Sequence, residues 1–419
     1  MHRFIVQAVA SPVAVGLSPR GPEAESERRE PSALLPLIDN RPEDSAVREE
    51  TLEGWAHVIS SGRYVLGEYV ARFEDAFARF CGVRHCVAVG SGTDAIELAL
   101  RAAGVRRGDR VVVPALTFVA SAFAVVRAGA KPVFVDVTEA GLANAHQIVQ
   151  RVVDGARAVL PVDLYGQVCP LEDVGELCGR AIVIEDAAHA HGASRRGVRA
   201  GAVGDIAAFS FHPSKNLGAF GDAGAVVTDS DDVMRELRLL RSHGGETPGV
   251  FTRVGFNSRM DEAQAVVLNA KLPHLQRWNR ARRRAARLYD ELLRSVEDAR
   301  PLPVVPGNVH VYHLYVVRIP RRDAVVARLR AQGIMAGVHY ATPLPHERVM
   351  RSHERRRFPV AESLAMETLS LPLFPSITED DQVRVVDTLK RALLETRASR
   401  EPEDVPGRSL ARLAGGDHG

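Results

Sequence analysis

Ile182-Val183-Ile184-Glu185-Asp186-Ala187-Ala188-His189 is a short apolar run that stops on two carboxylates and a histidine. The run reads as a buried strand, and its polar end as the point where the chain leaves the sheet. In α/β proteins ligands bind beside the carboxyl ends of parallel strands, so an acid placed there is a candidate site residue. Asp186 could equally cap the helix that follows, or pair with a buried cation.

Working outward, similar runs recur. Strands are predicted over 86–89, 110–113, 132–136, 156–161, 181–185, 206–211 and 225–228, with amphipathic stretches such as 95–103 and 119–128 between them. That rhythm predicts βα units, and so an α/β fold whose mostly parallel sheet is covered by helices on both faces. A helical pattern from Asp261 to about Val296 is expected to run on unbroken and to leave this first domain. An apolar strand over 311–319, then helix, strand and helix, predicts a smaller C-terminal α/β domain. The expected organisation is a loose extension over 1–33, a large domain over 34–260, a linking helix and small domain over 261–395, and a loose tail over 396–419. Both ends are rich in Arg, Glu, Gly and Pro and lack hydrophobic periodicity. Met1–Ala10 faintly resembles a signal peptide, but Gln7 interrupts its short apolar run and Pro12 follows closely, so an extension is expected instead.

Composition narrows the function classes. At 419 residues, with 46% hydrophobic and 25% charged residues, the chain is ordinary for a globular protein with a sizeable core. A formal charge of +2 argues against a nucleic-acid binder, and no apolar stretch is long enough to predict a membrane span. Cys81, Cys86, Cys169 and Cys178 lack metal-ligand spacing and read as buried thiols of a cytoplasmic protein, so no metal site is expected. Only four residues are lysine, namely Lys131, Lys215, Lys271 and Lys390, which shortens the search for a catalytic amine.

Two more segments carry chemistry. Gly90-Ser91-Gly92-Thr93-Asp94 joins a predicted strand to a helix, and free amides at such a helix start favour an anion such as phosphate. Ser91 and Asp94 also fit a capping box, a purely local explanation. Ser210-Phe211-His212-Pro213-Ser214-Lys215-Asn216-Leu217-Gly218 places a lysine in a Gly-bounded turn after an apolar strand. A nucleophilic amine must be partly neutral, and of the four lysines Lys215 alone has a context suited to that. Lys131 precedes a proline in a turn, while Lys271 and Lys390 lie in helical patterns.

Together these segments resemble the DegT/DnrJ/StrS family of fold-type I pyridoxal-phosphate enzymes, mainly sugar aminotransferases. The resemblance runs from about Ile38 to about Val386. It includes Val113-Pro114 with Thr117-Phe118-Val119, Leu164-Tyr165-Gly166-Gln167, Gly255-Phe256-Asn257-Ser258-Arg259 and Gly337-Val338-His339-Tyr340. It implies pyridoxal 5'-phosphate as cofactor, held by Lys215 as a Schiff base, with Lys215 also shuttling a proton. Asp186 is implied to pair with the ring nitrogen. Gly92, Thr93, the amide of Asp94, and Ser210 are implied to hold the phosphate. Phe118 would stack on the ring unless it is a core residue, and His189 stands near the ring hydroxyl where many relatives carry Gln. Phe123 stands where many carry Asn.

The family pattern also implies a homodimer in which Asn257 reaches the neighbouring subunit's phosphate, although Asn257 could instead cap the next helix. Tyr64, His339 and Tyr340 are candidate acceptor contacts. The expected reaction moves an amino group from an amino acid, L-glutamate, to a nucleotide-linked keto-hexose. The stretch from Lys215 through Phe220-Gly221-Asp222 is more similar to relatives acting on 3-keto than on 4-keto sugars. An amino-cyclitol or keto-carbocycle aminotransferase and a non-catalytic cofactor-binding regulator remain alternatives. A related dehydratase is disfavoured because such enzymes replace the lysine with histidine.

Overall fold

A computed structural model of the chain describes residues 34–41, 44–172, 181–247, 249–350 and 356–398. The N-terminal extension, Cys178 and all but the first three residues of the expected tail lie outside these. Those three, 396–398, continue the last helix, Glu379–Ala398, so helical structure passes the expected boundary.

All seven predicted strands form, and they make one sheet: β1 (His85–Val89), β2 (Arg110–Pro114), β3 (Lys131–Val135), β4 (Ala158–Val159), β5 (Ile182–Asp186), β6 (Ile206–Ser210) and β7 (Gly224–Thr228), in the order β1-β7-β6-β5-β4-β2-β3. Pairing is parallel except around β7, which is antiparallel to both β1 and β6. That reversal follows from the Lys215 segment, which leaves the end of β6 and returns beside it. Gly224 therefore lies level with Ser210 on one side and Val89 on the other. The carboxyl ends of β1 and β6 thus meet the start of one reversed strand.

Alternation along the strands loads both faces. Val87 and Val89 pack with α3 (Gly92–Ala102), α4 (Val119–Arg127) and α6 (Asp231–Arg241), whereas Cys86 and Ala88 pack with Phe73 and Phe77 of α2 (Glu68–Cys81). With apolar side chains on alternate residues, each face can be buried only by its own helix layer. The helix predicted over 261–296 is broken. Residues Glu262–Lys271 and Leu275–Leu293 are separate helices joined by a 3-10 turn at Leu272–His274. Pro273, in that turn, has no amide to donate into the helical ladder.

A second core gathers around the antiparallel strands Arg300–Pro301, Tyr315–Arg318 and Thr368–Leu371, and Leu35 from the beginning of the described chain joins it. The apolar run over 311–319 is a strand only from Tyr315, since Tyr312 has a φ of 47°. The helix Pro359–Glu367 returns to the central sheet. Its Phe358, Ala361 and Leu364 enter that core, and Asp136 accepts from the amides of Val360 (3.1 Å) and Ala361 (2.9 Å). Among the described residues no helix is long and apolar enough to cross a membrane.

Candidate active site

The Lys215 turn is tied down residue by residue. His212 Nδ1 and Ser214 Oγ lie 2.9 Å apart, and the Lys215 amide donates to the His212 carbonyl at 2.8 Å. Any side chain at Gly218 would collide with the Pro213 carbonyl, so only glycine lets the turn close. From α7 (Glu262–Lys271), Lys271 Nζ donates to the Gly218 carbonyl at 2.7 Å. Asn216 Nδ2 donates to Asn279 Oδ1 (2.9 Å) and the Val311 carbonyl (3.1 Å). Burial pushes the Lys215 amine down to about 8, against the opposing pull of the Asp186 charge. An amine in that range supplies the neutral nucleophile near physiological pH.

Asp186 ends β5, and its carboxylate is buried. It accepts from Ser121 Oγ at 2.7 Å and from the Ala188 amide at 3.2 Å. Burial raises its pKa, while Ser121, Ala188 and Lys215 pull it back. A cation placed against this carboxylate would act in the same direction as those donors.

His189 is held in one tautomer. The Tyr165 amide donates to its Nδ1 at 3.3 Å, which leaves the ring proton on Nε2. Burial, and then the charges of Lys215, His339 and His191, hold it well below the usual histidine range. It is therefore a neutral ring whose Nε2 is free to donate.

The candidate anion-binding end lies where α3 meets β6 and β7. A side chain at Gly92 would collide with Ser210, and one at Gly224 with the Ser91 carbonyl, so bare backbone is required at this junction. Ser91 Oγ accepts the Asp94 amide at 3.1 Å, so the capping interaction is formed and that amide is already engaged. The amides of Gly92 and Thr93, in the first turn, have no intrahelical acceptor and face the same end. The Asp94 carboxylate accepts from Ser258 Oγ at 2.8 Å and lies 3.7 Å from Arg127, which offsets its charge.

The remaining candidates divide. Phe118 is 52% exposed, which removes the core alternative, and its ring centroid lies 5.8 Å from that of Tyr340. His339 Nδ1 is 2.8 Å from Ser370 Oγ, and burial lowers its pKa to about 4. Tyr165 Oη donates to the His339 carbonyl. Tyr64 is exposed, and its carbonyl accepts the Glu262 amide at 2.9 Å. Asn257 is exposed and does not cap α7, whose N-cap is Asp261. Phe123 packs against the core. Four contributors escaped the sequence reading: Ser121, Tyr165, Lys271 and His313, whose ring centroid lies 4.3 Å from that of His189. Lys271 is no solvated helix lysine. It is buried, its pKa is also lowered to about 8, and it lies 4.4 Å from the Phe220 ring centroid.

A model of the DegT/DnrJ/EryC1/StrS aminotransferase family matches residues 45–390. The chain belongs to this family. It is 40% identical, over 85% of its length and 97% of the relative's, to a Geobacillus stearothermophilus protein named pleiotropic regulatory protein. It is 41% identical, over 86% of its length and 99% of the relative's, to a UDP-N-acetyl-3-dehydro-alpha-D-glucosamine 3-aminotransferase of Acidithiobacillus ferrooxidans. A crystal structure of S. venezuelae DesV with a ketimine intermediate superposes with a TM-score of 0.82 at 38% identity, covering 89% of this chain and all of that one. As a DegT/DnrJ/EryC1/StrS aminotransferase the protein is a pyridoxal-phosphate-dependent transaminase.

The family member's own residues fit that cofactor. Gly92 packs directly against Ser210 and Gly224 against Ser91, which sets the free first-turn amides of Gly92 and Thr93 beside the Ser210 hydroxyl, a donor set suited to a phosphate, and Asp186 is a carboxylate whose surroundings favour a cation beside it. Lys215 is an amine near neutrality. When bound, the group supplies the electron sink for carbanionic chemistry at the substrate carbon.

Proposed function

We propose that the protein transfers an amino group from L-glutamate to a nucleotide-linked keto-hexose, at the 3 rather than the 4 position, in cytoplasmic amino-sugar biosynthesis. The observation that carries this reading is the gathering of a near-neutral Lys215 amine, the Asp186 carboxylate and a neutral His189 donor at one set of strand ends. In it, Lys215 Nζ takes a proton from the donor's α-carbon and later returns one to the acceptor carbon. Asp186 steadies a positive ring nitrogen, and His189 Nε2 donates to the ring oxygen. Gly92, Thr93 and Ser210 hold the phosphate, and Phe118 covers the ring face. Tyr64, His339 and Tyr340 contact the acceptor. The working unit is a homodimer, with Asn257 of the partner subunit completing each phosphate site, which agrees with that residue's exposure. Two observations favour the 3 position: the Phe220-Gly221-Asp222 sequence after the lysine turn and the relative named for 3-amination.

The relative named as a regulatory protein keeps a second reading in view, a cofactor-binding regulator. An amino-cyclitol acceptor would use the same residues. Mass spectrometry of purified protein with L-glutamate and a panel of nucleotide-linked 3-keto sugars, 4-keto sugars and keto-carbocycles separates these. Amination of 3-keto sugars alone is expected. Turnover confined to another class would reassign the acceptor, and loss of every transfer with cofactor still bound would favour the regulator.

A further inference from the structure

Glu185 precedes Asp186 on β5 and so points to the opposite face of the sheet, away from the reaction. There it is in side-chain hydrogen-bond contact with Asp163, which follows β4, and each residue is only 1% exposed. Their donors are unequally shared. Glu185 accepts from the amides of Gly201 (Oε1, 2.8 Å) and Val203 (Oε2, 3.3 Å). Asp163 accepts from the Cys169 amide at Oδ1 (2.8 Å), but its Oδ2 is buried with no donor. Two carboxylates in contact and away from water do not both ionise. The charged groups facing the pair do not relieve it. Asp186 on β5 adds repulsion. Arg195 is engaged by Glu172 and the Pro306 carbonyl, and Arg199 by the Phe80 carbonyl. Cys81 and Cys169 are held neutral by burial.

We propose that Asp163 and Glu185 share one proton, resident on Asp163 Oδ2 and directed at Glu185, and that neutral Asp163 is a positioning residue for the cofactor site. The proton turns an orphaned acceptor into a donor and removes one of the two charges. Burial, followed by the Glu185 charge, holds Asp163 well above the carboxylate range, in keeping with that placement. What Asp163 positions is the turn between it and Cys169. This turn carries Tyr165 at a φ of 62°, and Tyr165 sets His189 through its amide and His339 through its hydroxyl. The Asp163 amide also donates to the Asp186 carbonyl at 3.0 Å. One buried acid thus braces the segment that fixes the His189 tautomer.

The sign of the pH effect follows from linkage. Unfolded Asp163 ionises above about pH 4, whereas the folded protein keeps the proton, so folding takes one up. The contribution is intact below the unfolded pKa and declines as pH rises toward the folded one. Asp163→Asn cannot titrate, yet its Nδ2 donates to Glu185 and its Oδ1 accepts from Cys169.

The test uses the full-length holoenzyme. In urea titrations between about pH 5.5 and 8, the unfolding constant of wild type relative to D163N should grow about tenfold per pH unit. Parallel curves would overturn the shared proton. Infrared spectra of wild type should contain a protonated-carboxyl stretch that is absent from D163N. If D163N does not fold, E185Q replaces it, because a Gln amide donor makes the proton unnecessary and the band again disappears. A band unchanged in the variant refutes the assignment. For the positioning role, D163A should weaken pyridoxal-phosphate affinity at least tenfold while D163N stays within about threefold of wild type. D163A within about threefold of wild type would leave Asp163 no such role, and D163N as weak as D163A would overturn the claim that its neutral form does the positioning.

Discussion

Replacing Ser121 with alanine removes a single oxygen, the one that donates to Asp186 at 2.7 Å. Ser121 is fully buried within α4, and alanine is the strongest helix former, so the helix itself loses little. A hydrogen bond to a buried ionised group contributes about 1.5–3 kcal/mol. At about 1.4 kcal/mol per pKa unit, its loss raises the Asp186 pKa by about one to two units. Burial already raises that pKa, and the cofactor's ring nitrogen needs the ionised form, so the change works in the damaging direction. The acid limb of cofactor affinity should therefore move up by about one to two pH units in Ser121→Ala. Below that limb, affinity should fall about tenfold to a hundredfold. Fluorescence titration of apoprotein with pyridoxal phosphate across pH measures both quantities. An unchanged affinity profile with a lowered melting temperature would mean that Asp186, which no helix follows, only closes the turn through the Ala188 amide.

Four further outcomes follow from the same geometry. Borohydride treatment of the holoenzyme and peptide mapping should place the reduced cofactor on Lys215, with label on Lys271 as the refuting result. Lys215→Ala should abolish transamination while leaving the melting temperature within a few degrees of wild type, since the amine packs no core. Mixed dimers of Asn257→Ala and Lys215→Ala, verified by differently tagged chains, should regain activity above that of either parent. No gain in such dimers removes the cross-subunit role. Glu262→Ala should cost about 3–5 kcal/mol in urea unfolding, because the carboxylate accepts the amides of Gly67, Tyr69 and Val70 at 2.8–2.9 Å. A loss below about 1 kcal/mol would show that water replaces it.

The strands of the central sheet were legible because each is an apolar run bounded by polar or glycine residues, a signal contained within the strand itself. The helix over 261–296 was misread for a similarly local reason, since Pro273 sits among good helix formers. Candidate cofactor residues were readable where they sit in a motif, as with Lys215, Asp186 and Ser210. Ser121 and Tyr165 were not. Ser121 is an unremarkable residue in a helix, and its importance comes from meeting Asp186, 65 positions away in sequence. Tyr165 was visible as part of a motif, but its work is done by its main-chain amide, which residue type does not announce.

Lys271 shows where residue-level reading stops. In sequence it is one basic residue on a helical pattern, yet the fold gives it the same lowered pKa of about 8 as Lys215. Titration alone would thus nominate two nucleophiles. Geometry separates them. Lys271 Nζ donates to the Gly218 carbonyl and lies over the Phe220 ring, which commits it to closing the turn that presents the other amine. Lys215 is the one coupled to Asp186. A methionine at 271 keeps the apolar stem but cannot donate to Gly218, so it should loosen the Lys215 turn. The expected result is cofactor bound about tenfold more weakly, as loss of one buried hydrogen bond implies, with borohydride still labelling Lys215. Loss of labelling with undiminished cofactor affinity would reverse the two roles.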